Sequence, residues 1–218
     1  MDKYDVMRWI SKACVSIAAV SCIFIWPARR TSHWKLIPAY ILFVAVTEWI
    51  GYYLRIHPVA FLQNPDYYSF IVHPGIFFFI YFFLYHIDEK KNNVLFTGIS
   101  FIYISSCITD FIFLSGKSFW FMSFSYMIGV VLMITLLIRF YYGFFFSDRI
   151  LSFRQSVSFW MCTVWFVYYA GTFPFFALRN TLVAKYYSVF DVYWFIQITA
   201  NCLMYVSIIF IFKWAKQR

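Results

Sequence analysis

Charge is scarce in this chain, and glycine is scarcer. Charged residues make up only 12% of the sequence, and there are seven glycines in 218 residues. That excludes a glycine-rich loop of the phosphate-cradling kind. No polar stretch is long enough to form a soluble domain with a separate activity. The five cysteines, Cys14, Cys22, Cys107, Cys162 and Cys202, form no CxxC pair and all fall within apolar runs. They read as small packing residues rather than as disulfides or a zinc site. His33, His57, His73 and His86 show neither HxxxH nor HExxH spacing, so metal-assisted hydrolysis lacks a ligand set. The last apolar run has no lysine midway, only Lys185 and Lys213 at its flanks, which excludes a retinal-type Schiff base. No serine or cysteine nucleophile is visible beside a base. Neither a cofactor nor an enzymatic activity is expected. The net charge of +9 does not point to nucleic acid, because the 18 lysines and arginines sit at the ends of apolar runs and form no basic face.

What the chain has instead is hydrophobicity, at 63% of residues. One helical crossing of a bilayer needs about 20 mostly apolar residues. Seven runs meet that length: Trp9–Trp26, Leu36–Tyr53, Tyr68–His86, Val94–Leu114, Phe119–Ile138, Val157–Leu178 and Tyr187–Phe212. They are continuously apolar rather than alternating, so each is expected to satisfy its backbone as a helix rather than as a barrel strand. The expected fold class is all-α, a polytopic membrane bundle of seven transmembrane helices in one domain, residues 1–218, with the lipid bilayer as its partner. Within the first run, Ala19-Val20-Ser21-Cys22 faintly resembles a lipoprotein cleavage box. No small-residue site follows it and Trp26-Pro27 reads as a helix end, so the run is expected to remain as a crossing.

Basic residues orient such a bundle. The N-terminal segment and the even-numbered loops hold seven: Lys3, Arg8, Lys12, Arg55, Lys117, Arg179 and Lys185. The odd-numbered loops and the C-terminus hold the other eleven. The expected topology is N-terminus outside and C-terminus cytoplasmic. Trp9, Trp26, Trp34, Trp120 and Trp214 lie near run ends, where interfacial anchors belong.

A spacing recurs. Phe43, Thr47, Trp49, Tyr52, Tyr53 and Pro58 in the second run match Phe159, Thr163, Trp165, Tyr168, Tyr169 and Pro174 in the sixth. The following runs open alike, with Tyr67-Tyr68-Ser69 and Tyr186-Tyr187-Ser188. Two parallel three-helix halves joined by the fourth run would produce this pattern, and chance in a chain with 26% aromatic residues would also do so.

Ionisable groups at bilayer depth are costly and therefore functional candidates. Glu48, His73, Asp110 and Asp191 all fall in the outer half under the assigned topology. Glu48 either pairs with His73 or with another helix, or stays protonated. Helical spacing places neighbours three and four apart on one face. The faces that would converge are Glu48, Gly51, Tyr52 and Arg55; Ser69, His73, Phe77 and Tyr81; Tyr103, Ser106, Cys107 and Asp110; Trp165, Tyr168 or Tyr169, and Thr172; and Trp194, Gln197, Asn201 and Tyr205. An outward-opening polar and aromatic pocket for a small ligand is expected, formed by Glu48, Trp49, Tyr52, His73, Asp110, Trp165, Tyr169, Asp191, Trp194, Gln197 and Asn201. The bland readings are a solvated Asp110 and Asp191, a His73 that bonds a carbonyl freed by Pro74, and Gln197 and Asn201 as interhelical glue.

Three stretches carry a resemblance: Thr47-Glu48-Trp49-Ile50-Gly51-Tyr52-Tyr53-Leu54; Phe159-Trp160 with Tyr168-Tyr169-Ala170-Gly171; and Trp194-Phe195-Ile196 with Asn201 and Tyr205. With these the chain resembles an uncharacterised family of small seven-helix inner-membrane proteins common in Bacteroidota-type bacteria. That family has a Pro-x-Glu in the third crossing where this chain has Pro74-Gly75-Ile76, so no carboxylate pair between the second and third crossings is carried over. The resemblance implies bacterial inner-membrane location and proximity to two-component signalling, and it brings no activity. The function expected is sensory or signal-coupling, with Arg139, Arg149 and Arg154 meeting a cytoplasmic or membrane signalling partner. A small-solute or proton-coupled transporter, or a structural subunit of a membrane complex, is the alternative.

Overall fold

The computed structural model describes residues 3–25, 35–57, 67–88, 92–114 and 123–216. Those residues form seven long helices, which we label α1 (Lys3–Ile25), α2 (Leu36–Ile56), α3 (a π-helical turn Tyr68–Val72 continuing as His73–Ile87), α4 (Asn93–Leu114), α5 (Ser123–Phe145), α6 (Val157–Lys185) and α7 (Tyr187–Lys216). A short 3-10 segment, Asp148–Gln155, joins α5 to α6. All seven helices are long and apolar enough to cross a membrane. The chain is an all-α, multi-pass integral membrane protein, and among the described residues there is no strand.

Several helices outrun the expected apolar runs. α1 begins at Lys3 rather than Trp9, and α6 continues to Lys185 rather than ending at Leu178. Both extensions carry polar residues that the apolar count left in the flanks. α5 continues past Arg139 to Phe145, so the aromatic run Phe140–Phe145 is helical. The first residues of the run expected to open at Phe119 lie outside the described residues, as do Trp26, Trp34, Trp120 and Pro58.

Local chemistry explains several of the helix ends. Ser156 caps α6, its hydroxyl accepting the Phe159 N–H at 3.2 Å. The start of α5 is capped from another helix. The Asp110 carboxylate of α4 accepts the Ser125 backbone N–H at 2.6 Å, satisfying one of the donors that a helix N-terminus leaves over. In α3, Pro74 has no N–H to bond the carbonyl four residues back. The turn before it widens, and the His73 N–H reaches the Tyr68 carbonyl five residues back.

α1 packs on α2 and α7, α2 on α3, α3 on α5, α5 on α6, and α6 on α7. These six helices close a ring, and α4 lies outside it against α5. Gly129 permits that approach: a Cβ there would lie 2.7 Å from the Tyr103 ring of α4. Tyr103 also stacks on Phe77 of α3, with ring centroids 3.8 Å apart. The opposite face of α4 turns outward, with Phe101 and Phe113 each 72% exposed on a surface suited to lipid.

The ring interior divides into two halves. Toward the C-terminal face it is dry and close-packed, with Ile41, Ile80, Leu137, Met161 and Ile208 fully buried and Phe83 and Trp165 nearly so. Trp165 stands edge-on to Tyr40 and Phe83, at centroid separations of 5.7 and 5.2 Å. Toward the N-terminal face the same ring holds a cavity.

Candidate functional site

The cavity has a volume of about 290 Å³ and takes side chains from all six ring helices, and none from α4. The second-run face appears in it as the spacing implies, with Glu48, Gly51, Tyr52 and Arg55 all lining it, as does the last-run face of Trp194, Gln197, Asn201 and Tyr205. His73 and Tyr169 are present too. Seven of the eleven expected ligand residues therefore meet at one place: Glu48, Tyr52, His73, Tyr169, Trp194, Gln197 and Asn201.

The other four stand elsewhere. Trp49 is 44% exposed on the outer surface of α2, and its Nε1 donates to the Ser16 hydroxyl of α1 at 3.2 Å. Asp110 is buried on α4, outside the ring, where it caps α5. Trp165 belongs to the dry core below the cavity. Asp191 is bound at the surface by the Tyr4 hydroxyl, which ties α7 to α1. The matched pair Trp49 and Trp165 thus occupy unlike environments, while the matched pair Tyr52 and Tyr168 both line the cavity.

Glu48 lies eight residues inside the end of α2, about 12 Å along the helix. Its carboxylate accepts a hydrogen bond from the Tyr68 hydroxyl at 3.1 Å. The π-helical turn makes that bond possible. In a regular α-helix, residues five apart point about 140° away from each other. The wide turn instead brings Tyr68 and His73 toward one side, with ring centroids 6.3 Å apart. Gly51 leaves the space that Tyr68 needs, since a Cβ there would lie 2.7 Å from the phenol oxygen. His73 packs among rings, with Tyr126 at 4.8 Å and Phe176 at 5.9 Å.

Three basic residues of the site, Arg8, Lys12 and Arg179, were not among the expected pocket residues. Arg8, Ser11 and Lys12 line the cavity from α1 at spacings of three and four, and Arg179 does so from α6. Lys12 lies nine residues inside the start of α1, about 13 Å deep, and is 6% exposed. Its ammonium sits 4.1 Å from the Tyr52 ring centroid and 5.3 Å from that of Trp9. Arg8 lies over the Trp194 ring at 5.3 Å, and Arg8 and Arg55 share the Asp5 carboxylate at 3.4 and 3.1 Å. Asn201 donates to the Ser11 hydroxyl at 3.3 Å, joining α7 to α1 beside the cavity. The signal that would have revealed this group was the i, i+3, i+4 pattern of Arg8, Ser11 and Lys12, once α1 is started at its true first turn.

The residues expected to meet a partner lie toward the opposite face. Arg139 is engaged within the chain, its guanidinium donating twice to the Asp88 carboxylate at 3.0 and 3.1 Å. Arg154 is exposed on the 3-10 segment. The side chain of Arg149 lies outside the described residues. A second cavity of about 340 Å³ adjoins the Arg139–Asp88 pair, between the ends of α3 and α5 and the start of α4.

No family model, no curated protein and no solved structure matches this chain.

Proposed function

We propose that this protein is a sensory, signal-coupling membrane protein that binds a small ligand in the cavity of the helix ring. The carrying observation is that one cavity collects charged and polar side chains from all six ring helices at bilayer depth. A ligand there touches every helix of the ring. It can therefore favour one packing of the ring over another, which is what a receptor requires. The dry core beneath the cavity supports binding over passage, because Trp165, Phe83, Ile80 and Ile208 fill the space below it. The volume of about 290 Å³ suits a small molecule, at the lower end of the usual pocket range. The proposal places the cavity on the outer face of a bacterial inner membrane, following the distribution of basic residues, and assigns partner contact to the α5–α6 connection with Arg154.

A proton-coupled carrier is the second reading, favoured by Glu48, a carboxylate that lines the same cavity as Lys12. Purified protein in proteoliposomes separates the two. The sensor reading expects ligand-dependent thermal stabilisation with no accompanying solute or proton flux. Flux that disappears in Glu48→Gln would overturn it in favour of the carrier.

A further inference from the structure

We infer that the cavity's ligand is a small organic oxyanion, a carboxylate or a phosphate ester, whose anionic group seats on the Lys12 ammonium while its body lies between aromatic walls. This rests on the ligand-binding reading above and names the class of ligand.

The lining charge is the first ground. Arg8, Lys12, Arg55 and Arg179 face the cavity, against the single carboxylate of Glu48. Asp5 offsets part of the charge of Arg8 and Arg55, and the field of the remaining positive excess, concentrated by low-dielectric walls, favours an anion over a cation. Arg8 and Arg55 are steadied by Asp5 near the helix ends, so their contribution is to this field.

Lys12 is the second ground and the more specific one. Its side chain is more than nine-tenths buried, and it faces the cavity. Among the described residues its close contacts are two ring faces, with neither a hydrogen bond nor an ion pair. An ammonium carries three donors, and burying them without acceptors is costly. Ring faces attract the charge but are poor substitutes for oxygen acceptors. Glu48 lines the same cavity, yet its carboxylate is bonded to Tyr68 and forms no ion pair with the lysine. The unmet donors thus border a cavity that a carboxylate or phosphate oxygen can enter. Beyond that seat the walls are aromatic, with Tyr52, Tyr68, Tyr126, Tyr168, Phe176 and Trp194 offering ring faces and edges to a compact planar body.

The test uses the full chain in an uncharged detergent, with binding followed by calorimetry and thermal shift at fixed ionic strength. The probes are benzoate, phenyl phosphate, the neutral isostere benzamide, the cation benzamidine, and a short-chain phosphatidylglycerol. Benzoate or phenyl phosphate is expected to bind saturably and about tenfold or more tightly than benzamide, the usual minimum for a desolvated charge contact. Lys12→Gln is expected to lose that advantage and Lys12→Arg to retain most of it. Arg55→Gln, a half-exposed site less prone to misfold, is expected to weaken the anions by about two- to fivefold through the field alone. Glu48→Gln is expected to tighten anion binding, the opposite of what a carrier coupled through Glu48 predicts. If only phosphatidylglycerol binds, with the same dependence on Lys12, the oxyanion seat stands and its source is a lipid headgroup. Benzamide or benzamidine binding as well as benzoate, or anions binding Lys12→Gln undiminished, overturns the inference and leaves the cavity as a ligand site of another class. If no probe of any charge binds the wild-type chain, the ligand-binding reading itself falls.

Discussion

Asp191 was a pocket candidate by depth, and the fold makes it a tether between the first and last helices. Its carboxylate accepts the Tyr4 hydroxyl, while the Tyr4 ring stands 5.2 Å from Trp194 and 5.7 Å from Phe195. Tyr4→Phe keeps both ring contacts and removes the hydroxyl, so it isolates the polar link. A hydrogen bond to a charged group contributes about 1.5–3 kcal/mol in general. Between transmembrane helices the measured polar contacts are weaker, averaging about 0.6 kcal/mol with a maximum near 1.7. Both partners here are half-buried near the N-terminal face, where water screens the charge. A coupling of about 1 kcal/mol is therefore expected. The assay is a double-mutant cycle of Tyr4→Phe and Asp191→Ala, read from reversible unfolding in mixed micelles of rising dodecyl sulfate content. Asp191 makes other interactions as well, so Asp191→Ala alone is expected to cost more than the coupling. Ligand affinity is expected to stay within about twofold in Tyr4→Phe, because the hydroxyl lies off the cavity. Coupling below about 0.3 kcal/mol, the limit of ordinary additivity, would refute the tether. So would a large loss of ligand affinity with unchanged stability.

Three other changes probe the parts that shape the site. Trp165→Ala opens the dry core under the cavity and is expected to cost about 3–5 kcal/mol in the same unfolding assay, since lost packing rather than transfer from water is at stake in a bilayer. Gly51→Ala drives a methyl into the Tyr68 ring and is expected to cost about 1–3 kcal/mol and to break the Tyr68–Glu48 bond, visible as a changed tyrosine absorbance spectrum. Asp110→Ala is expected to cost about 1–2 kcal/mol by uncapping α5, with ligand binding unaltered, which separates a cap from a binding carboxylate.

Much of the cavity was legible because helical periodicity is local. Glu48, Gly51, Tyr52 and Arg55 share a face by spacing alone, and so do Trp194, Gln197, Asn201 and Tyr205. Arg179 was hidden because the apolar count ended the sixth run at Leu178, whereas α6 continues to Lys185; Lys12 lay within the first run but was counted as an orienting charge, since no polar face was read on that helix. Tyr68 was hidden by the π-helical turn, which shifts every face read at a period of 3.6. Trp49 and Trp165 share a motif spacing but not a setting, because each is placed by what its own helix meets.

The number of crossings and their helical form follow from the chain alone, since each apolar run must satisfy its own backbone in lipid whatever its neighbours do. Which faces look at one another is a matter of ring closure. α4 lies outside the ring, so Asp110 caps a helix although its depth matches that of the cavity residues. α1 is part of the ring, so a lysine near the first turns of the chain lines the same cavity as Glu48. Depth is a property of position along one helix, and convergence depends on contacts between helices distant in the chain.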